Sequence, residues 1–351
     1  MTSFWERIVD PDRCFVIAEI GVNHNGSPDM ARALIDMAAT AGADAVKFQT
    51  FFAEELVTHS AEQAAYQVDN LGEKTSQYQM LKALELGHED YRALAGYCAG
   101  AGIMFLSTPF SERAADLLDD IGVQGFKVSS GVLTHLPFLR DLGARGKPLV
   151  MSTGMGNLAE VEAAMAAIQA SGNRQVALLH CVSDYPADPA VCNLRAIETL
   201  RTAFGVPVGW SDHTLGEAVS MAAVARGAQL LEKHVTLDCD LPGPDHRASL
   251  EPEAFRTMLA GLRQIESALG SGLKQPTGAE QETALLVRRS LTLARDLPRG
   301  HVLGAGDVLA RRPGTGIAPG AMAEVIGRPL AGDLAGGHVL RWHDLDRSGA
   351  G

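Results

Sequence analysis

The chain has 351 residues, a hydrophobic content of 46% and a formal net charge of −12. This length exceeds the usual single domain and predicts one large domain plus a small one. The acidic balance, with no dense Lys/Arg run, argues against a nucleic-acid footprint, although an acidic protein can still hold an anion in a locally basic pocket. No apolar stretch reaches the length needed to span a bilayer, so no membrane partner is expected. The first residues, MTSFWERIVDPDR, are charged and lack an apolar signal segment. Five cysteines (Cys14, Cys98, Cys181, Cys192 and Cys239) are widely spaced and form no CxxC, which predicts free thiols in a reducing cytoplasm.

In chain order, Phe15–Ile20 reads as a buried strand carrying Glu19, and Ser27-Pro28 supplies an N-cap and a first-turn proline for the helix that follows. Ala43–Phe48 is the next strand, with Lys47 and Gln49 at its end. Residues 51–87 break the rhythm; they are polar and Gln-rich, with YQ at 66–67 and again at 78–79, and read as a long functional loop with some helix. Alternation then resumes: a helix over 88–101, strand Ile103–Leu106 before Ser107-Thr108-Pro109, and a helix after Ser111. Strand Gln124–Val128 carries Lys127 and leads into Ser129-Ser130-Gly131 and a helix from about Thr134. Strand Pro148–Met151 reaches Ser152-Thr153-Gly154, and the next helix opens at Asn157 with Glu160 as a capping-box partner. Strand Gln175–Leu179 ends in His180-Cys181, followed by a Pro-rich loop with Ser183 and Tyr185 and a helix near 193–204. Strands Pro207–Trp210 and Gln229–Glu232 are each followed by a histidine, His213 and His234, and the helix between them is expected to start with a Thr214/Glu217 capping box. A last helix occupies about 252–269.

Eight strands, each followed by a helix, predict an α/β fold closed as a (β/α)8 TIM barrel over residues 1–270. Glu19, Lys47, Thr108, Lys127, Ser152, His180, Ser211 and His234 each stand near the C-terminal end of a different strand, where the βα loops of such a barrel build active sites. Two lysines and several hydroxyls on one rim suit a phosphate or carboxylate, and two imidazoles suit a divalent ion. A lysine at a strand end equally suits a Schiff base, so the aldolase reading stays open. Residues 271–287 read as a linker, and 288–351 as a small β-rich module punctuated by Pro298-Arg299-Gly300, Gly304–Asp307 and Pro313-Gly314.

Six ordered motifs then become recognisable: IAEIGVNHNG at 17–26, KFQT at 47–50, STPF at 107–110, STGM at 152–155, SDHT at 211–214 and PGPDHRASL at 242–250. They resemble the sialic acid (N-acetylneuraminate) synthase family, including its legionaminic and pseudaminic acid relatives, and the tail with RRPGTGI at 311–317 resembles the antifreeze-like SAF domain of those enzymes. The resemblance implies condensation of phosphoenolpyruvate with the open-chain aldehyde of an N-acetylated mannose-type sugar, giving a nonulosonic acid and phosphate by C–O cleavage. It implies that His213 and His234 bind a Mn²⁺-like ion (Mg²⁺ or Co²⁺ as alternatives) that polarises the aldehyde oxygen. Lys47, Thr108, Lys127, Ser130, Ser152, Ser183 and Ser211 match phosphoenolpyruvate-binding positions, with Ser183 standing where the sialic acid synthases have Asn. Glu19, Gln49, Tyr185 and Asp245 match sugar-contacting positions. The catalytic set is then Glu19, Lys47, Lys127 and Asp245. Arg312 matches an arginine delivered to the partner's barrel, which implies a domain-swapped homodimer.

One position departs from the family pattern. After the fourth strand the family reads GSGE, whereas this chain has Ser129-Ser130-Gly131-Val132. Valine moves no proton, so Glu19 or Asp245 is expected to handle the water, or else the acceptor differs from N-acetylmannosamine. A carboxylate restored at 132 is expected to change acceptor preference or to raise turnover on N-acetylmannosamine. Among alternatives, the Schiff-base aldolase predicts trapping of pyruvate by borohydride, and a binding module on an inactive barrel predicts ligand binding without turnover. Synthases of eight-carbon keto-deoxy sugar phosphates share barrel and chemistry and are not expected to carry this tail.

Overall fold

In the computed structural model, which describes residues 3–71 and 75–346, the chain opens on a helix that the sequence reading lacks, α1 (Phe4–Ile8). Ser3 and Glu6 form a capping box at its start. The order then runs β1 (Phe15–Gly21), α2 (Pro28–Ala41), β2 (Ala45–Thr50), α3 (Ala53–Leu56), α4 (Ala65–Leu71), α5 (Gln77–Leu84), α6 (His88–Ala101) and β3 (Met104–Pro109). It continues with α7 (Glu112–Ile121), β4 (Phe126–Val128), α8 (Leu136–Ala144), β5 (Leu149–Ser152), α9 (Leu158–Gln169), β6 (Val176–Cys181) and α10 (Ala196–Phe204). The first unit, Met1–Gly270, closes with β7 (Val208–Asp212), α11 (Ala218–Ala225), β8 (Leu230–His234) and α12 (Pro252–Leu269).

The eight strands form one parallel sheet in the order β3-β2-β1-β8-β7-β6-β5-β4, which brings β3 and β4 side by side and curls the sheet into the predicted barrel. The strands alternate, so every second residue faces the barrel interior. Phe15, Ile17, Ala45, Leu106, Val150, Ala177, Leu179 and Leu230 fill the lower interior, and Phe4 and Ile8 of α1 join them there. The fit at this floor is close. A methyl on Gly125, at the foot of β4, would lie 2.5 Å from the Phe4 ring. The opposite strand faces pack against the surrounding helices in a second, larger apolar layer that includes Trp210, Phe126 and Phe255.

Local signals read from the sequence recur in several elements. Ser27 and Ser111 cap α2 and α7, and Asn157 with Glu160 forms the expected capping box on α9. The expected Thr214/Glu217 box does not form. α11 starts at Ala218 with no side-chain cap, because Thr214 instead donates its N–H and Oγ1–H to Asp212 Oδ1, both at 2.8 Å. The irregular 51–87 segment carries three short helices, α3 to α5, whose Met80 and Leu84 pack with Val22 and Phe51.

The second unit, Ser271–Gly351, contains α13 (Gly278–Val287), β9 (Ser290–Leu293), β10 (Val308–Arg311) and α14 (Met322–Val325). The stretch read as a linker is thus largely helical. Thr277 and Glu280 form a capping box on residues rich in good helix formers, and none of the helix is buried. β9 and β10 pair antiparallel, isolated bridges such as Thr292–Val339 and Leu330–Leu345 extend the β structure, and Leu291, Leu293, Val308, Ile317 and Leu340 make its core. All five cysteines are free, and no helix among the described residues is long and apolar enough to cross a membrane.

Candidate active site

Above the apolar floor the inward positions turn polar, one strand after another. Glu19, Lys47, Thr108, Lys127, Ser152, Ser211 and His234 converge with Gln49, Ser130, Ser183, Tyr185, His213 and Asp245 on one cavity of about 470 Å³ at the C-terminal rim. Arg312 belongs to the second unit, just after β10, at a cis bond to Pro313.

The cavity floor is a buried ionic cluster. Lys47 Nζ lies 2.6 Å from Glu19 Oε2 and donates to Thr108 Oγ1 at 3.0 Å, while Lys127 Nζ donates to Ser152 Oγ at 2.6 Å. Between the lysines sits Glu232, 3.5 Å from Lys127 and 3.9 Å from Lys47, accepting from Ser211 Oγ at 2.8 Å. Burial pushes the Glu19 carboxyl up to about 7, against the pull of Lys47. Burial likewise raises Asp245 to about 6, with His213 and Lys47 opposing. Lys127 is drawn below the ordinary lysine range by burial, which its attraction to Glu232 only partly offsets.

Glu19 faces the cavity by the regular alternation of β1, and an irregularity follows it. The pairing with β2 shifts between Glu19 and Gly21, and Gly21 takes a φ of 55°, a left-handed conformation in which glycine is unstrained. A side chain there would press on Glu19 Oε1 at 2.9 Å and on Gln49 Nε2 at 3.2 Å, breaking the 3.0 Å hydrogen bond that Gln49 donates to Glu19.

Beside Lys127, four small groups line a recess. Gly154 N–H donates to Ser130 Oγ at 3.0 Å, and Ser130 Oγ lies 3.7 Å and Ser183 Oγ 4.0 Å from Cys181 Sγ. Hydroxyls and a backbone N–H packed tightly around a side-chain-free glycine, next to an ammonium, form an anion cradle.

The two imidazoles face one another across the other side of the cavity, with ring centroids 5.4 Å apart. His213 Nδ1 donates to the Val182 carbonyl at 2.6 Å, which leaves Nε2 as its electron-pair donor. His234 is held neutral by burial, well below the ordinary histidine range, and its Nδ1 is buried with no hydrogen-bond partner and 4.0 Å from Asp245 Oδ2. Two imidazoles facing one cavity, one of them with an orphaned nitrogen, fit a divalent cation. Among the described residues no third His, Cys, Asp or Glu joins them in a ligand cluster, so a cation held here would have two protein ligands.

Several features escaped the sequence reading. His180, placed on the rim by its sequence position, turns outward: its Nε2 pairs with the Cys192 carbonyl at 2.9 Å, and its neighbour Cys181 faces the cavity. Glu232, in the sequence only the last residue of an apolar run, stands two residues before His234 and so shares its face. Tyr66, Met80 and Leu84 of the 51–87 segment, which reads as a functional loop, form part of the cavity wall, although the sequence assigns none of the three a site role. Val132 is buried in the apolar layer between strands and helices, and its neighbours Ser130 and Gly131, but not Val132, line the cavity.

A closed parallel barrel that gathers ionisable and hydroxyl side chains in one cavity at its C-terminal rim has the build of a barrel enzyme. The chain belongs to the NeuB family: the model of that family matches residues 34–274, and that of the SAF domain matches 288–346. It is 45% identical to the N,N'-diacetyllegionaminic acid synthase of Legionella pneumophila over 95% of each chain. It is 41% identical to the enzyme of the same name from Campylobacter jejuni, over 90% of this chain and 95% of the other. Among solved structures it resembles an N-acetylneuraminic acid synthetase from Leptospira borgpetersenii in complex with citrate. That match has a TM-score of 0.68 and 32% identity, over 77% of this chain and 90% of the other.

Proposed function

We propose that this protein condenses phosphoenolpyruvate with the open-chain aldehyde of an N-acetylated mannose-type aldose, releasing a nonulosonic acid and phosphate. The observation that carries the reading is the single cavity that joins a two-lysine anion cradle to a facing pair of imidazoles. Lys47, Thr108, Lys127, Ser130, Ser152, Ser183 and Ser211 hold the enol ester, whose charges replace the present bonds among the lysines and hydroxyls. A Mn²⁺-like ion on His213 and His234 supplies Lewis acidity at the aldehyde when bound.

Carbon 3 of phosphoenolpyruvate attacks the aldehyde carbon, water adds at carbon 2, and the tetrahedral species expels phosphate with cleavage of the C–O bond. Glu19 and Asp245, raised by burial to about 7 and about 6, hold and release protons near neutral pH at this side of the cavity. Glu232, fixed between the lysines, keeps both ammonium groups in place. Alignment of the two substrates in one closed volume removes much of the entropic barrier.

The names of the Legionella and Campylobacter relatives support an acceptor with two acetamido groups. An apolar wall of Val22, Met80, Leu84 and Phe110 suits the methyls of such groups. Exposed apolar side chains, Met155 and Leu215 on rim loops and Leu158 at the start of α9, together with Leu285 and Leu286 of α13, support a homodimer in which Arg312 reaches the partner's barrel.

The testing experiment is phosphate release from phosphoenolpyruvate with Mn²⁺ and a panel of six-carbon aldoses, mono- and di-N-acetylated. Release only when an acceptor is present is expected; its absence with every aldose refutes the reading. A Schiff-base pyruvate aldolase is favoured by one observation, the lowered pKa of Lys127. Borohydride with pyruvate separates the two, since the synthase forms no trapped adduct.

A further inference from the structure

The YQ pair at 66–67 has its place in the structure at the site. Tyr66, on α4 of the 51–87 segment, stacks on Tyr185 with ring centroids 5.1 Å apart and planes at 25°. Tyr185 in turn lies 4.1 Å from the His213 ring at 35° and meets the His234 ring edge-on at 5.8 Å. Four rings thus run from the insert to the imidazole pair. The outer end is tethered: Asn70, one turn on from Tyr66, donates its side-chain N–H to the Pro244 carbonyl at 2.6 Å, beside Asp245. Tyr66 itself is half-buried and lines the cavity, and its hydroxyl accepts from Gln67 at 3.4 Å. Among the described residues, none of its ring contacts or hydrogen bonds reaches Lys47, Lys127 or the serines of the anion cradle.

We infer that Tyr66 is a positioning residue for the acceptor sugar: it acts through Tyr185, backing that ring so that it stays packed over His213 and His234. The inference rests on the reading of the cavity as a two-substrate synthase site, with the enol ester at the lysines and the aldose at the rings. The loop that carries Tyr185 is pinned near its base, where Ala187 N–H donates to the His213 carbonyl at 2.9 Å, but the ring itself depends on its ring neighbours for orientation. An aromatic insert residue therefore tunes the acceptor half of the cavity and leaves the anion half alone.

The test compares Tyr66→Leu, which keeps apolar bulk without a ring, with Tyr66→Phe, which keeps the stack, each alone and in a Tyr185→Ala background. Phosphate release is measured with each substrate varied in turn, and Mn²⁺ affinity is measured by calorimetry without substrates. On the scale of one aromatic pair, Tyr66→Leu should raise the acceptor KM by ~3- to 10-fold, with kcat, the phosphoenolpyruvate KM and Mn²⁺ affinity within about twofold of wild type. Tyr66→Phe should behave as wild type, and Tyr66→Leu should add nothing once Tyr185 is alanine. An acceptor KM unmoved by Tyr66→Leu, an equal rise in both KM values, or effects that multiply in the double variant would each overturn the inference. Turnover of any aldose by the wild type upholds the activity whatever Tyr66 does, so the two readings fail separately.

Discussion

Replacing Gly154 with alanine adds one methyl where the cradle has no room for it. An ideal Cβ at this position would crowd Ser183 Oγ most of all, and would stand 2.8 Å from Ser130 Oγ and 3.1 Å from Cys181 Sγ. These approaches fall inside the ~3.5–4.0 Å at which non-bonded heavy atoms attract one another. The backbone at 154 is not in the left-handed region, so the cost is packing rather than conformational strain. The methyl has one cheap way out, which is to turn the two serine hydroxyls away. That also breaks the bond from Gly154 N–H to Ser130 Oγ. Overpacking of this kind costs ~1–3 kcal/mol, and if it is relieved within the cradle it appears as a ~5- to 140-fold rise in the phosphoenolpyruvate KM. Initial rates of phosphate release, with phosphoenolpyruvate varied at saturating acceptor and then the reverse, separate the two substrates, and a thermal melt shows that the variant is folded. A folded variant whose phosphoenolpyruvate KM stays within twofold of wild type, or whose acceptor KM climbs in step, would falsify the assignment of this recess to the anion.

Removal of metal with EDTA is expected to abolish phosphate release and Mn²⁺ to restore it, while His213→Ala and His234→Ala should lose Mn²⁺ binding by calorimetry as well as activity. Val132→Glu, which the motif comparison makes attractive, should lower stability instead of raising turnover, because it buries a carboxylate among apolar side chains. A melting temperature lower by ~5 °C or more is the expected reading, from a loss of ~2–3 kcal/mol. Phe4→Ala opens a cavity under the barrel and should cost ~3–5 kcal/mol in denaturant unfolding with little change in KM for either substrate. In the second unit, Asp307 is held well below the ordinary carboxylate range by the Gly304 N–H, with His301 and Arg295 adding to it. Its folded pKa is depressed, so its stabilisation is full at neutral pH and fades as pH falls below the unfolded value near 3.8. Asp307→Asn should flatten that acid limb in melts followed between pH 2 and 6 (a range of about four units).

Most of the barrel was legible because its signals are local. A capping serine, a glycine after a helix and a run of β-branched residues act over a few positions, and they repeat from unit to unit. The rim residues were legible for a related reason: each is a polar side chain at the end of an apolar run, where burial inside the sheet gives way to a loop. Two irregular stretches were harder. The 51–87 insert shows no period, and its helices gain their place from contacts such as Met80 and Leu84 against Val22 and Phe51. α1 has only five residues, too few to be stable alone, and exists because the barrel floor accepts Phe4 and Ile8.

By itself, then, the amino-acid order determined the eight alternating strand–helix units of the barrel, which strand ends carry ammonium, hydroxyl and imidazole groups, and the family motifs they spell. What it left undecided was direction. Lys233 and Glu232 are adjacent in β8, yet Glu232 reaches between the cavity lysines, whereas Lys233 turns outward to pair with Asp212 at 3.1 Å. His180 and Cys181 differ in the same way, and the more chemically suggestive of the two faces out. In a strand, neighbours point to opposite faces, so a one-residue change of register exchanges every inward and outward group. That register is set by pairing with strands distant in the chain, such as Glu19 of β1 beside His234 of β8, and only the closed barrel fixes it.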